Sequence, residues 1–280
     1  MWDVIVVGGG PCGLSAATYL KRFNRQVLVL SNEDSILKKK NLQIDNYFGV
    51  NLENGTLLID NTMAKLQTLG VQVEKETVLD IVSIDGFLRV ITNKQSILTK
   101  YVVLGIGLNY SSKVKNVQKY LGKGISYCAS CDGFFYLNKT IGLFGSGDYL
   151  LHELDILKNI TNKILIFTPD ELKLPKYQII PTKDLKLQGT QTLEAVLANN
   201  QLYPIDGLFI ADDSPGILGF AGKLGLELKN NSIVVDQDYA TSIKSIYAGG
   251  DCIGGIKQIT KASYDGMMIA YAINQRLNNE

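Results

Sequence analysis

Two cysteines separated by two residues carry the clearest chemistry in this sequence: Cys128-Ala129-Ser130-Cys131, followed at once by Asp132. A zinc site would need a second pair of ligands. The other cysteines, Cys12 and Cys252, stand alone, and His152 is the single histidine, so no metal is expected. A dithiol that cycles with a disulfide fits the spacing far better, the thiolate being the reactive form. Asp132 is placed to move protons, in a chain with almost no histidine to compete for that work. Cys12 and Cys252 read as small buried hydrophobes. His152 reads as a surface or interface residue.

The second chemical signal is a glycine turn. Gly8-Gly9-Gly10-Pro11-Cys12-Gly13 fits GxGxxG, with an apolar strand before it and helical spacing after it. The first glycine of such a motif allows the tight turn, the second lets backbone approach a pyrophosphate, and the third lets helix and strand pack closely. Free N–H groups at the helix start then face the phosphates. The acidic residue usual at the end of the second strand is replaced by Ser31, with Glu33 and Asp34 just after it, which makes Glu33 the candidate ribose contact.

Those residues need elements to hold them. Residues 2–7 predict a buried strand, Leu14–Phe23 a helix and Gln26–Leu30 a second strand, a βαβ unit opening a parallel sheet. A second such unit begins at Thr140, with strand Ile141–Phe144, the turn Gly145-Ser146-Gly147-Asp148, helix Tyr149–Lys158 and strand Lys163–Phe167. Between the two, Val71–Ser83 and Phe87–Leu98 predict an antiparallel pair turning at Asp85-Gly86. Tyr101–Leu108, Ser232–Val235 and Ser245–Ala248 predict further strands, and Ile259–Arg276 a long final helix. The expected fold is α/β, with two doubly wound, Rossmann-like domains. Residues 1–110 and 240–280 would form a discontinuous first domain, and 111–239 a second that bears the cysteine pair.

Bulk properties agree with a globular enzyme. The 280 residues, 46% hydrophobic and 20% charged, suffice for two ordinary domains. A net charge of +1 gives no case for nucleic acid or a membrane surface. Apolar runs are strand-sized, far short of a membrane span. The start runs into a strand with no basic n-region, so a secretory signal is not expected and the cytoplasm is the expected location.

Around the cysteines, Ser126-Tyr127-Cys-Ala-Ser-Cys-Asp-Gly-Phe134-Phe135 resembles the active-site stretch of low-molecular-weight thioredoxin reductases, and the likeness covers nearly the whole chain. The segment GGGPCGLSAA is similar to that family's FAD turn. Ile44-Asp45-Asn46-Tyr47-Phe48-Gly49 resembles its flavin loop, with Phe48 in place of proline, and Gly105-Ile106-Gly107 stands where the family has ATG. Tyr247-Ala248-Gly249-Gly250-Asp251, with Gln258 and Ile259 downstream, resembles its second FAD motif. The resemblance implies FAD as cofactor, held by Gly8, Gly10, Pro11, Cys12, Gly13, Glu33, Asn46, Gly107, Gly250, Asp251, Gln258 and Ile259. Asp251 would hold the ribityl chain, with Gln258 and Ile259 beside the flavin ring. Cys131 would face the flavin, Cys128 would attack a thioredoxin disulfide, and Asp132 would be the acid/base. A homodimer is also implied.

The second βαβ unit departs from the NADPH-dependent members of that family. Leu150 occupies the third glycine position. Phe167-Thr168-Pro169-Asp170-Glu171 stands where two arginines would read a 2′-phosphate, and Lys173 comes only later. A lost bidentate arginine–phosphate contact removes roughly two decades of affinity. The segment Asp170–Gln191 also looks too short for the usual next helix and strand. In these features the chain resembles the ferredoxin-dependent flavin thioredoxin reductases, which implies ferredoxin as donor and thioredoxin as acceptor. Lysines at 38–40, 113, 115, 119 and 123 offer a docking surface for an acidic carrier or, more commonly, a solvated face. An NADPH enzyme with an altered site, a flavin dithiol oxidase and a non-catalytic redox sensor stay open as alternatives.

Overall fold

The computed structural model describes residues 1–32, 35–39, 44–48, 54–107, 114–211 and 216–280. It forms two compact units, Met1–Asn109 with Leu224–Glu280, and Tyr110–Lys223. The first unit opens with β1 (Trp2–Val7), α1 (Pro11–Arg22) and β2 (Val27–Leu30), the predicted βαβ. Next come α2 (Ile36–Lys39), α3 (Gly55–Thr68), β3 (Gln72–Glu74), β4 (Val78–Ile84), β5 (Phe87–Thr92) and β6 (Ser96–Leu104). β1 lies between β2 and β6, both parallel to it, and β3 continues the sheet in parallel beyond β2.

The hairpin forms as predicted at Asp85 and Gly86, both in the left-handed region. Its arms are shorter than the sequence suggests. Val71–Ser83 is not one strand, because Gln72–Glu74 pairs with β2 and only Val78–Ile84 joins the ladder. The break centres on Glu76, a buried carboxylate that accepts from Thr92 Oγ1 at 2.6 Å and Gln95 Nε2 at 2.7 Å. Satisfying that carboxylate turns the chain on both arms. Ser96–Leu98 accordingly belongs to β6 rather than to β5.

In the second unit β7 (Ile125–Ser126) and α4 (Ala129–Asp132) precede β8 (Ile141–Gly145), α5 (Gly147–Leu157) and β9 (Ile164–Thr168). Then follow β10 (Gln178–Pro181), the antiparallel trio β11 (Lys186–Gln188), β12 (Ala195–Ala198) and β13 (Gln201–Pro204), and β14 (Gly207–Ala211). The main sheet is parallel, in the order β10-β9-β8-β14-β7. The segment after β9 corrects one expectation and meets another. A strand is present, since β10 pairs in parallel with β9, but residues 169–177 form bends and turns with no helix.

The chain leaves this unit along α6 (Ile217–Leu224) and returns to the first through β15 (Leu228–Lys229), β16 (Ser232–Ile233), β17 (Ile246–Ala248) and α7 (Ile259–Asn278). β17 pairs in parallel with the last three residues of β6. α7 lies against α1 so closely that a Cβ on Gly266 would stand 2.1 Å from Cys12 O. The first core forms between that helix pair and the sheet, from Val4, Val6, Leu14, Val29, Ile269 and Ile273. Burial of such side chains, at roughly 1.5–3 kcal/mol each, holds the glycine turn in place.

Candidate active site

The first glycine turn is defined by what its glycines touch. Gly8 adopts φ +110°, and a Cβ there would lie 2.4 Å from Gly105 O. A Cβ on Gly13 would lie 2.1 Å from Gly8 O, and one on Gly105 would lie 2.9 Å from Gly13 N. Three glycines therefore bring β1, α1 and the end of β6 into backbone contact. Gly107, the predicted site residue of this last segment, has φ +63° and open space beside it; Gly105 makes the close approach. Gly10 is the N-cap of α1 with Pro11 following, no side chain caps the helix, and its first turn has no acidic residue. A Cβ on Gly10 would have just Gly105 O, at 3.9 Å, within 4 Å. This helix start is open to an anion.

The second cluster surrounds Gly250. Its N–H donates to Asp265 Oδ2 at 2.8 Å, and Lys261 Nζ donates to the carbonyls of Gly250 at 2.9 Å and Gly254 at 3.1 Å. Lys261 and Asp265, one helical turn apart on α7, are themselves paired at 2.7 Å. Tyr239 Oη donates to Asp265 Oδ1 at 3.1 Å. Burial, with the Asp265 charge beside it, holds the Tyr239 hydroxyl up to about 12. This pair, which sequence spacing did not reveal, fixes the turn that presents Asp251. Burial raises the Asp251 carboxyl, and Lys261 and Lys257 oppose that rise. Gln258 is the N-cap of α7, Ile259 begins it, and Gln258 Oε1 accepts from Asn46 Nδ2 at 3.0 Å. Glu33 lies outside the described residues. Cys12 and Cys252 are buried, and burial pushes both thiols up, Cys252 to about 12.

In the second unit Cys128 and Cys131 form a disulfide with Cα atoms 5.3 Å apart. Cys128 is the N-cap of α4, and its sulfur accepts the Cys131 N–H at 3.1 Å. It is buried, at 2% exposure, whereas Cys131 is exposed. Asp132 ends the same turn, its N–H donating to Cys128 O at 3.1 Å. Burial, with the Asp132 charge as a further cause, raises the Tyr136 hydroxyl nearby. Just after the pair, Phe134 and Phe135 are 70% and 69% exposed. Among the described residues no cluster of three or more acidic, histidine or cysteine side chains could hold a metal. No helix of those residues is long and apolar enough to cross a membrane.

The second glycine turn is built like the first and filled differently. Gly147 opens α5 with φ +64°, and its N–H donates to Asp170 Oδ2 at 2.7 Å. Asp148 adds another carboxylate in the first turn. Leu150 is fully buried, as are Phe167 and Thr168 at the end of β9.

A family model described as pyridine nucleotide-disulphide oxidoreductase matches residues 2–151 and 177–266. This chain belongs to that family. Within it, the chain falls with the low-molecular-weight thioredoxin reductases. It is 29% identical over 295 residues to the thioredoxin reductase of Treponema pallidum, covering 97% of this chain and 95% of that one. Among solved structures it is similar to the atypical thioredoxin reductase TRi of Desulfovibrio vulgaris Hildenborough, with TM-score 0.90 and 28% identity over 100% and 99% of the two chains. It is also similar to a ferredoxin-flavin thioredoxin reductase of Clostridium acetobutylicum, with TM-score 0.76 and 25% identity over 100% and 99%. As a member of this flavoprotein family the chain takes FAD. The residues present fit that group, since the close-packed Gly8–Gly13 turn leaves the start of α1 open. FAD supplies a redox centre able to accept electrons singly and pass on a pair.

Proposed function

We propose that this protein is a disulfide reductase that draws electrons from reduced ferredoxin through FAD and the Cys128–Cys131 pair, and delivers them to a thioredoxin disulfide. Two one-electron donors and two protons convert the Cys128–Cys131 disulfide into two thiols. Cys128 thiolate then attacks one sulfur of the thioredoxin disulfide, releasing the other as a thiol. Cys131 resolves the mixed disulfide, which frees reduced thioredoxin and restores the starting bond. Asp132 is the acid/base in this reading. Cys128 is buried in the present conformation, so its sulfur must be uncovered before a protein disulfide reaches it. The exposed Phe134 and Phe135 suit a protein substrate better than a small one.

The FAD contacts in this reading are the Gly8–Gly13 turn for the pyrophosphate, Asp251 for the ribityl chain, and Asn46, Gln258 and Ile259 near the ring. The observation that carries the choice of donor is the Asp170 carboxylate on the Gly147 N–H. That N–H belongs to the helix start where a pyridine nucleotide would lay its pyrophosphate, and a phosphate would meet a fixed negative charge there. The missing helix after β9 and the absence of a cation at the end of that strand point the same way. The likeness to the ferredoxin-flavin thioredoxin reductase of Clostridium acetobutylicum supports ferredoxin as the alternative.

Of the lysines suggested for docking, Lys38 is paired with Asp60 at 2.8 Å, and Lys119 donates to Tyr120 Oη and Gly189 O. Lys40 and Lys113 lie outside the described residues, as does the side chain of Lys39. Lys115 and Lys123 are left as the candidates for steering. The decisive experiment is anaerobic bleaching of the flavin with NADPH, NADH and reduced ferredoxin in parallel. Rapid reduction by ferredoxin alone supports the reading; rapid reduction by micromolar NADPH overturns it.

A further inference from the structure

Behind the disulfide lies a buried ion pair. Glu153 on α5 and Lys223 on α6 meet at 2.7 Å, each side chain 1% exposed. The second carboxylate oxygen of Glu153 accepts the N–H of Ala129 at 2.7 Å, the residue immediately after Cys128. Lys223 also stands 5.3 Å over the ring of Tyr149, whose hydroxyl donates to Tyr127 O at 3.0 Å. Gly222 O, one residue before Lys223, lies 3.3 Å from Cys131 Sγ, placed to accept its proton when the pair is reduced. The two helices thus grip the segment 127–131 at a carbonyl, an N–H and a sulfur.

Taking two ions out of water is expensive, and apolar residues of the same volume are often as stable or more so. Position is what distinguishes this pair. Glu153 sets a negative charge one peptide bond from Cys128, and a lone carboxylate there would hold the thiol protonated. Lys223 cancels that charge. A lone ammonium would have the opposite effect and stabilise the thiolate.

We propose that Glu153 and Lys223 are positioning residues that act as one electrically neutral unit, holding the backbone of the redox turn while leaving the thiol–thiolate balance of Cys128 unperturbed. The inference rests on Cys128 and Cys131 being the working dithiol. Among the described residues, other ionisable groups on the elements packed here include Asp132 and Cys131 on the same turn, Tyr127 before it, and Tyr149 and His152 on α5. Ser130 Oγ lies 3.3 Å from its sulfur.

The test uses the full-length flavoprotein with its dithiol reduced, and neither ferredoxin nor thioredoxin present. The pH midpoint for alkylation of Cys128 by iodoacetamide is read by peptide mapping, which separates it from Cys12 and Cys252, both raised by burial. Glu153→Gln should lower the midpoint and Lys223→Met should raise it, each by about one unit. The double variant should return it to the parent value. A merely structural pair would lower the melting temperature in both single variants and leave the midpoints unmoved, or move them the same way; either result overturns the proposal. Should the single variants fail to fold, the uncharged double variant decides, an unchanged midpoint supporting the proposal and a displaced one ending it. A protein showing no reversible dithiol would instead refute the underlying reading of the cysteine pair.

Discussion

Asn46 and Gln258, 212 positions apart, are joined by a 3.0 Å hydrogen bond from the Asn46 amide to the Gln258 carbonyl oxygen. Both were candidate FAD contacts, and the bond ties Asn46, between α2 and α3, to the N-cap of α7. Asn46→Ala should therefore loosen FAD through loss of order in that loop rather than loss of a charge. One such bond contributes about 0.5–1.5 kcal/mol, so the FAD dissociation constant should rise roughly twofold to tenfold. Titration of apoprotein with FAD, followed by flavin fluorescence, checks it; an unchanged constant means the pair does not support the flavin.

Acidification should release FAD earlier than an ordinary carboxylate would predict. Burial raises the Asp251 carboxyl in the FAD-free chain, whereas ribityl hydroxyls would be held by its ionised form. The sign follows from linkage: affinity is full above the raised pKa and falls as pH drops through it. FAD retention should then weaken at a higher pH than an ordinary aspartate would set. Asp251→Asn should bind FAD more weakly at neutral pH, with a flatter pH profile. Measured retention at stepped pH tests both, and an equally steep profile in the variant would assign the effect elsewhere.

The cysteine roles give a spectroscopic prediction. A thiolate against oxidised flavin produces a long-wavelength charge-transfer band. If Cys131 faces the ring, as the family resemblance implies, Cys128→Ser should show it and Cys131→Ser should not. The opposite pattern would exchange the two roles and leave the dithiol chemistry intact. Asp132→Asn should slow turnover by roughly 10²–10⁴-fold, the range for lost proton transfer. A rate within a factor of three of the parent would remove Asp132 from the mechanism.

How far the sequence reaches is visible residue by residue. The first glycine turn, the cysteine pair and both βαβ units declare themselves locally, through β-branched runs closed by glycine and through fixed short spacings. α3 gives no such signal: just Gly55, Ile59 and Leu66 of its 14 residues are buried, too sparse a stripe to mark a period. Its start depends on Asn54, whose side chain accepts the Leu57 N–H at 3.0 Å. The split of Val71–Ser83 turns on Glu76 finding partners 16 and 19 residues away. Lys261, Asp265, Glu153 and Lys223 were missed for a related reason. Each reads as an ordinary charged residue on a helix until the fold joins it in a pair, Glu153 with Lys223 and Lys261 with Asp265, that holds the backbone of another segment. The sequence shows Asp170 in the stretch where arginines would read a phosphate, but not that its carboxylate is seated on the Gly147 N–H.

That seat makes the last prediction specific. Asp170→Ser frees the Gly147 N–H and removes one of the carboxylates at the start of α5. It supplies no cation to pair with a 2′-phosphate, which would lose its solvation without gaining a partner. Millimolar NADH should therefore bleach the variant faster than the parent, and NADPH should do no better than NADH. Reduced ferredoxin should bleach parent and variant alike, since its electrons need no nucleotide cradle. In both proteins the ferredoxin-driven rate should fall as salt rises, a steered encounter with a lysine face being screened over about 10 Å at 0.1 M ionic strength. Stopped-flow bleaching across a salt series reads all three comparisons. A variant that gains rapid, NADPH-selective reduction would show that Asp170 alone closes a nucleotide site otherwise complete.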